Sequence, residues 1–477
     1  MINNLNSSPR GFFAGVDLWA ITLYLVIVVV GCLCITSATF DELSSDYYSF
    51  SHFYIKQFMW VGMAFVTAIT VLLMDANVFH KYSYPLYILG LLVLTLTLIF
   101  GREVNGAKSW FELGAFRIQP VELVKISTAM AMARVMSEHS FSIDRIDGLA
   151  KVALVVAIPL AIIVLQNDTG SGIVFGSFLF VLYREGINSW LVAPILLIVT
   201  LFILSFLLTP FTLLLLSFVI CLLCDLFMSG GGKLHLIYSA VLLLSCTLLS
   251  LYSQIFMDEP LSSYAIGVII AVVTLPFVVA WAVRNARVKS LIIIGFFIFA
   301  NIFVQLCDYI FNSILRSHQQ NRIMSYLGIV NDPLGVDYNV NQSKIAIGSG
   351  GLLGKGFLGG TQIKYGFVPE KHTDFIFCDL AEEWGFIGVF FLLSCFFALI
   401  WRLIMMGERQ AEAFGRIYCY CVASILLFHT LVNVGMTIGL MPVMGIPLPF
   451  VSYGGSSLIA FTIMLFIAFR LDSSVRR

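Results

Sequence analysis

Two stretches of this chain carry the residue types that hold an anion and work on it. The first contains Arg102, Lys108, Glu122 and Lys125. The second runs from Arg316 through Lys371 to His372 and includes Arg322, Asp332, Gln342, Lys344 and Lys355. Several cations around a few carboxylates can offset the charge of a phosphate or diphosphate and leave one acid to accept a proton. The glycines from Gly348 to Gly356 supply backbone N–H groups of the kind that cradle phosphate. They do not form a nucleotide loop, because Lys355 is followed by Gly356 where that motif requires Ser or Thr.

Each residue also has a plainer reading. Glu122 and Lys125 are one helical turn apart and suit an intrahelical ion pair. Asp332 stands before Pro333 and Gly335, a favoured place for a turn-opening acid. Asp168 is a further candidate partner for Lys125 or Lys344. Ser456, in Gly454-Gly455-Ser456-Ser457, suits either a helix start or a ligand contact. His372 lies between Glu370 and Asp374, but a structural metal needs more ligands at fixed spacing. Cys221 and Cys224 have CxxC spacing without a second pair or a nearby histidine, which argues against zinc.

The elements that position these residues follow from composition. Hydrophobic residues make up 60% of the chain and charged residues 11%, against about 25% charged in a soluble domain. The excess apolar mass must face lipid. The expected fold class is all-α, a polytopic integral membrane helix bundle. Apolar runs of about 20 residues give about fourteen spans, near 16–38, 54–74, 84–101, 119–137, 147–166, 170–184, 190–208, 212–229, 235–255, 264–284, 289–312, 374–402, 416–440 and 452–470. The first run is too long for a signal-peptide core and is read as a retained span. Lys and Arg in the loops place both termini in the cytoplasm. The two cation-bearing stretches then fall outside, against the usual charge rule; an anionic ligand would account for that, and so would their being the two longest outer loops. The loop 313–373 is the one long outer loop, and its apolar residues among glycines suggest a folded cap with short re-entrant helices. Asp379, Glu382 and Glu383 are expected to face the bundle interior. The 10 cysteines lie in or beside apolar segments and read as small hydrophobes without a disulfide framework. With 27 basic and 27 acidic residues and no basic tract, no nucleic-acid partner is expected.

The phrases Gln342-Ser343-Lys344-Ile345-Ala346-Ile347-Gly348-Ser349-Gly350-Gly351, Gly354-Lys355-Gly356, Gly360-Thr361-Gln362 and His372-Thr373-Asp374-Phe375 occur in order. They are joined by Gln119-Pro120-Val121-Glu122 and by Pro447-Leu448-Pro449-Phe450-Val451-Ser452-Tyr453-Gly454-Gly455. Over 1–185 and 290–470 the chain resembles the SEDS family (the RodA, FtsW and SpoVE proteins of shape, elongation, division and sporulation), and most closely its RodA branch. Two motifs depart from the family pattern. Val121 stands in a usual Ser place, and Gln166-Asn167-Asp168-Thr169-Gly170-Ser171 replaces Gln-Pro-Asp-Leu-Gly-Thr.

The resemblance implies a peptidoglycan glycosyltransferase that polymerises lipid II on the outer face of the bacterial cytoplasmic membrane during elongation, releasing undecaprenyl diphosphate. Asp332 matches the family's essential aspartate and is the expected general base. Arg102, Lys108, Glu122, Lys125, Arg322, Gln342, Lys344, Lys355, His372 and Ser456 are the expected contacts to diphosphate and sugars. No resident cofactor is implied; a divalent cation, Mg or Mn, on the substrate diphosphate is compatible. Expected partners are lipid II, the growing glycan strand, a class B penicillin-binding protein and other membrane proteins of the elongation complex. The organisation would be an N-terminal membrane half (1–185), about four inserted spans (186–288) and a C-terminal half (289–477) with the outer loop. Two other readings are a lipid-precursor flippase and a scaffold for the transpeptidase. Transporters place polar sites near the bilayer midplane, where Asp225 and Asp308 are the candidates.

Overall fold

The computed structural model describes residues 15–40, 53–104, 106–113, 116–143, 145–187 and 338–475, with scattered positions between 200 and 220 and between 295 and 324. Two compact units are present, one joining Met1–Ser189 with Asp332–Arg477 and the other Trp190–Asn331. Every element below belongs to the first.

Its helices are α1 (Leu18–Thr39), α2 (Phe53–Leu73), α3 (Ala76–Lys81), α4 (Ser83–Phe100), α5 (Pro120–Met136), α6 (Ile146–Leu165), α7 (Thr169–Val174), α8 (Phe178–Arg184), α9 (Tyr338–Gly350), α10 (Thr361–Lys364), α11 (Ile376–Glu408), α12 (Ala413–Thr437) and α13 (Gly455–Val475). Among the described residues, 7 helices are long and apolar enough to cross a membrane. They are α1, α2, α4, most of α6, α11, α12 and α13. The chain is a multi-pass membrane protein. The stretch expected as a short sixth span is a shorter apolar helix, Thr169–Arg184, broken by the 3-10 turn Phe175–Ser177 that separates α7 from α8.

Local chemistry sets the helix ends. Asp17 caps α1 by accepting from the Ala20 amide at 3.2 Å. Pro120 starts α5, where its missing N–H costs nothing. Asp168 caps α7 by accepting from the Ser171 amide at 3.1 Å. It also accepts from the Gln119 side-chain Nε2 at 3.0 Å, so in place of the expected pairing with Lys125 or Lys344, Asp168 ties the residue before α5 to α7. Within α5 all residues but Leu123 and Arg134 are buried. This helix packs against α4, α6, α12 and α13 and forms the middle of the bundle.

The all-α expectation needs one correction. Residues 102–118 form a small antiparallel sheet of β1 (Arg102–Val104), β2 (Ala107–Leu113) and β3 (Phe116–Ile118), in that order. Gly106 makes the β1–β2 turn with φ +85, a conformation that glycine adopts without a Cβ penalty. The Lys108 amide donates to the Gln166 carbonyl at 3.0 Å and pins the sheet to the end of α6.

At the opposite end of the bundle, arginines tie helix ends together. Arg409 grips Asp472 at 2.5 and 2.6 Å, and Arg402 pairs with Asp17. Arg416 holds Glu185 at 3.0 and 2.9 Å. Asp17 and Asp472 are buried, and each is satisfied by a guanidinium, the cation suited to a planar two-point grip.

α11 is not one continuous helix. Gly385 breaks it with φ 63 and ψ −163. The break frees backbone groups, and the loop after α9 takes them up. The amides of Lys355 and Gly356 donate to the Glu382 and Glu383 carbonyls at 3.0 and 2.9 Å. In return, the amides of Phe386 and Ile387 donate to the Gly351 and Leu352 carbonyls at 2.9 and 3.2 Å. Irregular backbone at a membrane helix persists only when such groups are paired within the protein. A Cβ on Gly385 would press on the Gly354 nitrogen and sit 2.7 Å from the Leu352 carbonyl carbon. Gly385→Ala is therefore expected to lower stability by about 2–4 kcal/mol. Thermal denaturation in detergent measures it, and an unchanged transition would count against the rigid exchange.

Candidate active site

The cap expected from the long loop is built against the first turns of α11. Phe377, Cys378, Asp379, Leu380, Ala381, Glu382 and Glu383 are all buried there. Glu382 is the centre of the arrangement. One of its oxygens accepts from Lys355 Nζ at 2.6 Å, Thr361 Oγ1 at 3.1 Å and the Gln362 amide at 3.0 Å; the other accepts from the Ile363 amide at 3.2 Å. Glu383 accepts from the Ser37 hydroxyl near the end of α1. A small cavity between α1 and the cap is lined by Ser37, Phe40, Leu358, Gly360, Ile363, Lys364 and Glu383. Both oxygens of Asp379 are buried with no hydrogen-bond partner among the described residues.

The glycines of the cap serve the backbone. Gly350 and Gly354 lie directly on the α11 main chain, where a Cβ would strike the Ala381 and Glu383 carbonyls. The amides of Gly354, Lys355, Gly356 and Gly359 all donate to main-chain carbonyls. These N–H groups are thus committed inside the protein, and the phosphate-cradle reading of Gly348 to Gly356 is corrected for residues 354, 355 and 356.

Lys371 and His372 follow the cap. Lys371 Nζ donates to the Ile363 carbonyl at 2.7 Å. Burial pulls its ammonium below the ordinary lysine range, and the charge of Asp379 opposes that pull. His372 packs at a tilt against Phe53 with ring centroids 4.5 Å apart and lies 5.7 Å from the Tyr453 ring. Burial lowers its imidazole below the ordinary histidine value, so it is neutral at pH 7. The main chain of this segment is tied to the loop before α13. The Tyr453 amide donates to the His372 carbonyl at 2.8 Å, and the Ser452 hydroxyl donates to the Thr373 carbonyl at 2.7 Å.

Beneath lies a second buried polar group. Lys125 and Glu122 of α5 are paired at 2.8 Å, with side chains 1% and 3% exposed. The ion-pair reading of these two residues holds. Lys125 Nζ also lies 3.0 Å from His429 Nε2 on α12. One turn on, Asn433 Nδ2 donates to the carbonyls of Asp374 and Ile446 at 3.0 and 2.8 Å. One turn further, the Thr437 carbonyl accepts from Ser343 of α9 at 2.5 Å. Successive turns of α12 thus hold α5, the segments at Asp374 and Ile446, and α9.

The structure sorts the expected contacts. Lys108 and Lys344 are exposed, and Gln342 and Ser456 are partly exposed. Lys355 is occupied by Glu382 and Thr361. Arg102 is exposed and paired with Glu112, whose carboxyl it holds below the ordinary value with help from Arg117. Asp332 and Arg322 lie outside the described residues, as do Asp225, Asp308 and the Cys221–Cys224 pair. Sequence reasoning missed His429, Asn433, Thr361 and Ser37. The polar spacing 429–433–437 along an otherwise apolar helix was the available signal.

Comparison with known proteins follows these features along the chain. The family model for FtsW, RodA and SpoVE, described as cell cycle protein, matches residues 17–219 and 214–477. The peptidoglycan glycosyltransferase RodA of Treponema pallidum is 29% identical over 452 residues, 91% of this chain and 92% of that protein. The peptidoglycan glycosyltransferase MrdB of Escherichia coli K12 is 29% identical over 401 residues, 84% of this chain and 80% of that protein. Among solved structures, RodA of Thermus thermophilus shares the fold with a TM-score of 0.54 at 22% identity, covering 96% of both chains. A chain of a peptidoglycan synthase complex does so with a TM-score of 0.58 at 24% identity, covering 96% of this chain and 98% of that one. The match spans the cap, the α5 pair and the loop before α13 alike, and the chain belongs to the FtsW/RodA/SpoVE family of cell cycle proteins.

Proposed function

We propose that this protein is a peptidoglycan glycosyltransferase that polymerises lipid II on the outer face of the cytoplasmic membrane. The observation that carries the reading is a family match running from residue 17 to residue 477, with full-length relatives that bear this activity in their names. In the proposed reaction an acceptor sugar hydroxyl attacks the anomeric carbon that carries the diphosphate. Asp332 takes the hydroxyl proton, the new C–O bond forms, and the bond from the anomeric carbon to the diphosphate oxygen breaks. The departing diphosphate needs its charge offset more than it needs a proton. Among the described residues, Lys108 and Lys344 are exposed cations of the expected contact set that could offset it. Lys125 and Lys355 are already paired with Glu122 and Glu382, and serve by holding α5 and the cap. A divalent ion on the diphosphate would add to the same effect.

The reading extends to a bundle of about fourteen spans, with both termini inside and about four spans inserted into a ten-span core. It also extends to a class B penicillin-binding protein as working partner and to a role in elongation. One assay tests the core of it. Purified protein, alone and with such a partner, receives labelled lipid II with and without Mg or Mn. Polymer on a gel in at least one arm is the expected result. Folded protein giving no polymer in any arm, or moving the lipid across vesicle membranes instead, would overturn it.

A further inference from the structure

The Lys125 ammonium is buried and has three N–H donors. Glu122 Oε2 lies 2.8 Å away, His429 Nε2 lies 3.0 Å away, and the Phe461 ring centroid lies 5.1 Å away. Those three neighbours surround the ammonium with a carboxylate, a ring nitrogen and an aromatic face. Glu122 stands on the same helix as Lys125, so the ion pair alone does not fix where the ammonium sits relative to α12 or α13. A lysine head rides on a flexible four-carbon stem and needs a second anchor to be held at one point. His429, from α12, is that anchor.

Geometry also sets its tautomer. Nε2 faces a cation and must present its lone pair, so the ring's single proton sits on Nδ1. Nδ1 lies 3.2 Å from the Pro447 carbonyl oxygen, which accepts that proton's hydrogen bond. The ring stands edge-on to Phe461, with centroids 4.9 Å apart at 86°. His429 is 1% exposed and has a partner at each nitrogen, so it has little freedom to rotate.

We propose that His429 is a positioning residue, whose neutral imidazole fixes the Lys125–Glu122 pair through Nε2 and ties it to the Pro447 loop through Nδ1. Its importance for catalysis rests on the glycosyltransferase reading; the contact itself does not.

Three substitutions separate the two bonds. His429→Gln places an amide oxygen where Nε2 was and can still accept from Lys125. His429→Asn places an amide N–H where Nδ1 was and can donate only to Pro447. His429→Leu keeps bulk and neither bond. In lipid II polymerisation the Gln variant is expected within about threefold of wild type, and the Asn and Leu variants lower by about tenfold or more. Thermal stability of the Lys125→Met and His429→Leu variants, single and combined, reads the contact without the reaction. His429→Leu should cost less in the Lys125→Met background than in wild type, the remainder being its bond to Pro447. An Asn variant as active and as stable as Gln, or strictly additive stability losses, would overturn the proposal. If wild type makes no polymer, the glycosyltransferase reading fails and the stability cycle still decides the contact. If the Leu variant does not fold, stability cycles of Lys125→Met with the Gln and Asn variants decide instead, coupling being expected for Asn, which loses the Lys125 contact, and near-additivity for Gln, which keeps it.

Discussion

Asp332→Asn is expected to abolish lipid II polymerisation while leaving the thermal transition of the purified protein unchanged. The expected loss is on the order of a thousandfold, the usual worth of a positioned proton acceptor. The substitution separates the two readings of this residue. As the opener of the turn before Pro333 and Gly335, asparagine serves as well as aspartate. A purely structural Asp332 would therefore tolerate the change, with activity and stability both kept. As a general base it would not, because an amide cannot accept the hydroxyl proton. Side-by-side gels of wild type and variant, with melting curves of the same preparations, give the answer. Residual activity near wild type would move the base elsewhere in the outer segments.

Glu382→Leu is expected to have the largest effect on stability, about 3–5 kcal/mol, because it strands a cation and further donors at once. In the folded protein Glu382 is fully buried and satisfies Lys355, Thr361 and the amides of Gln362 and Ile363. Leucine removes the acceptor for all of them. Glu382→Gln keeps one carbonyl acceptor and should lose less than half as much. The ordering wild type, Gln, Leu in thermal denaturation is the prediction. A Leu variant that melts with wild type would mean that water already serves these donors and that the cap is looser than its hydrogen bonds indicate.

The parts legible in the sequence were those written in side-chain type. A chain with 60% hydrophobic residues had to be a membrane bundle. Acids inside an apolar run, as at Asp379, Glu382 and Glu383, had to turn inward, and they are buried. Glu122 and Lys125 were readable as a pair from their spacing alone. The small sheet at 102–118 was also announced, by Asn105-Gly106 between short alternating segments, the strongest short-range hairpin signal. The expected spans end at 101 and resume at 119, and hydropathy says nothing of the short stretch between them. What stayed hidden is of two kinds. A lone histidine in an apolar helix, such as His429, looks like any core residue until a cation from another helix is seen beside it. The exchange of main-chain bonds at Gly385 has no side-chain signature beyond glycines, and those suggested a phosphate cradle instead. In the sequence Lys355 reads as a ligand contact with no sign of its ion pair, because Glu382 is remote in sequence and lies in a different element.

The exchange at Gly385 has a consequence for how this region tolerates change over generations. Its bonds count residues, since amides 355 and 356 meet carbonyls 382 and 383 while amides 386 and 387 meet carbonyls 351 and 352. Side chains such as Leu352 and Leu353 are 71% and 78% exposed there and free to vary. An insertion or deletion of a single residue between 351 and 356 would shift the whole pairing out of step. Natural variants should therefore alter spelling in this segment and almost never its length.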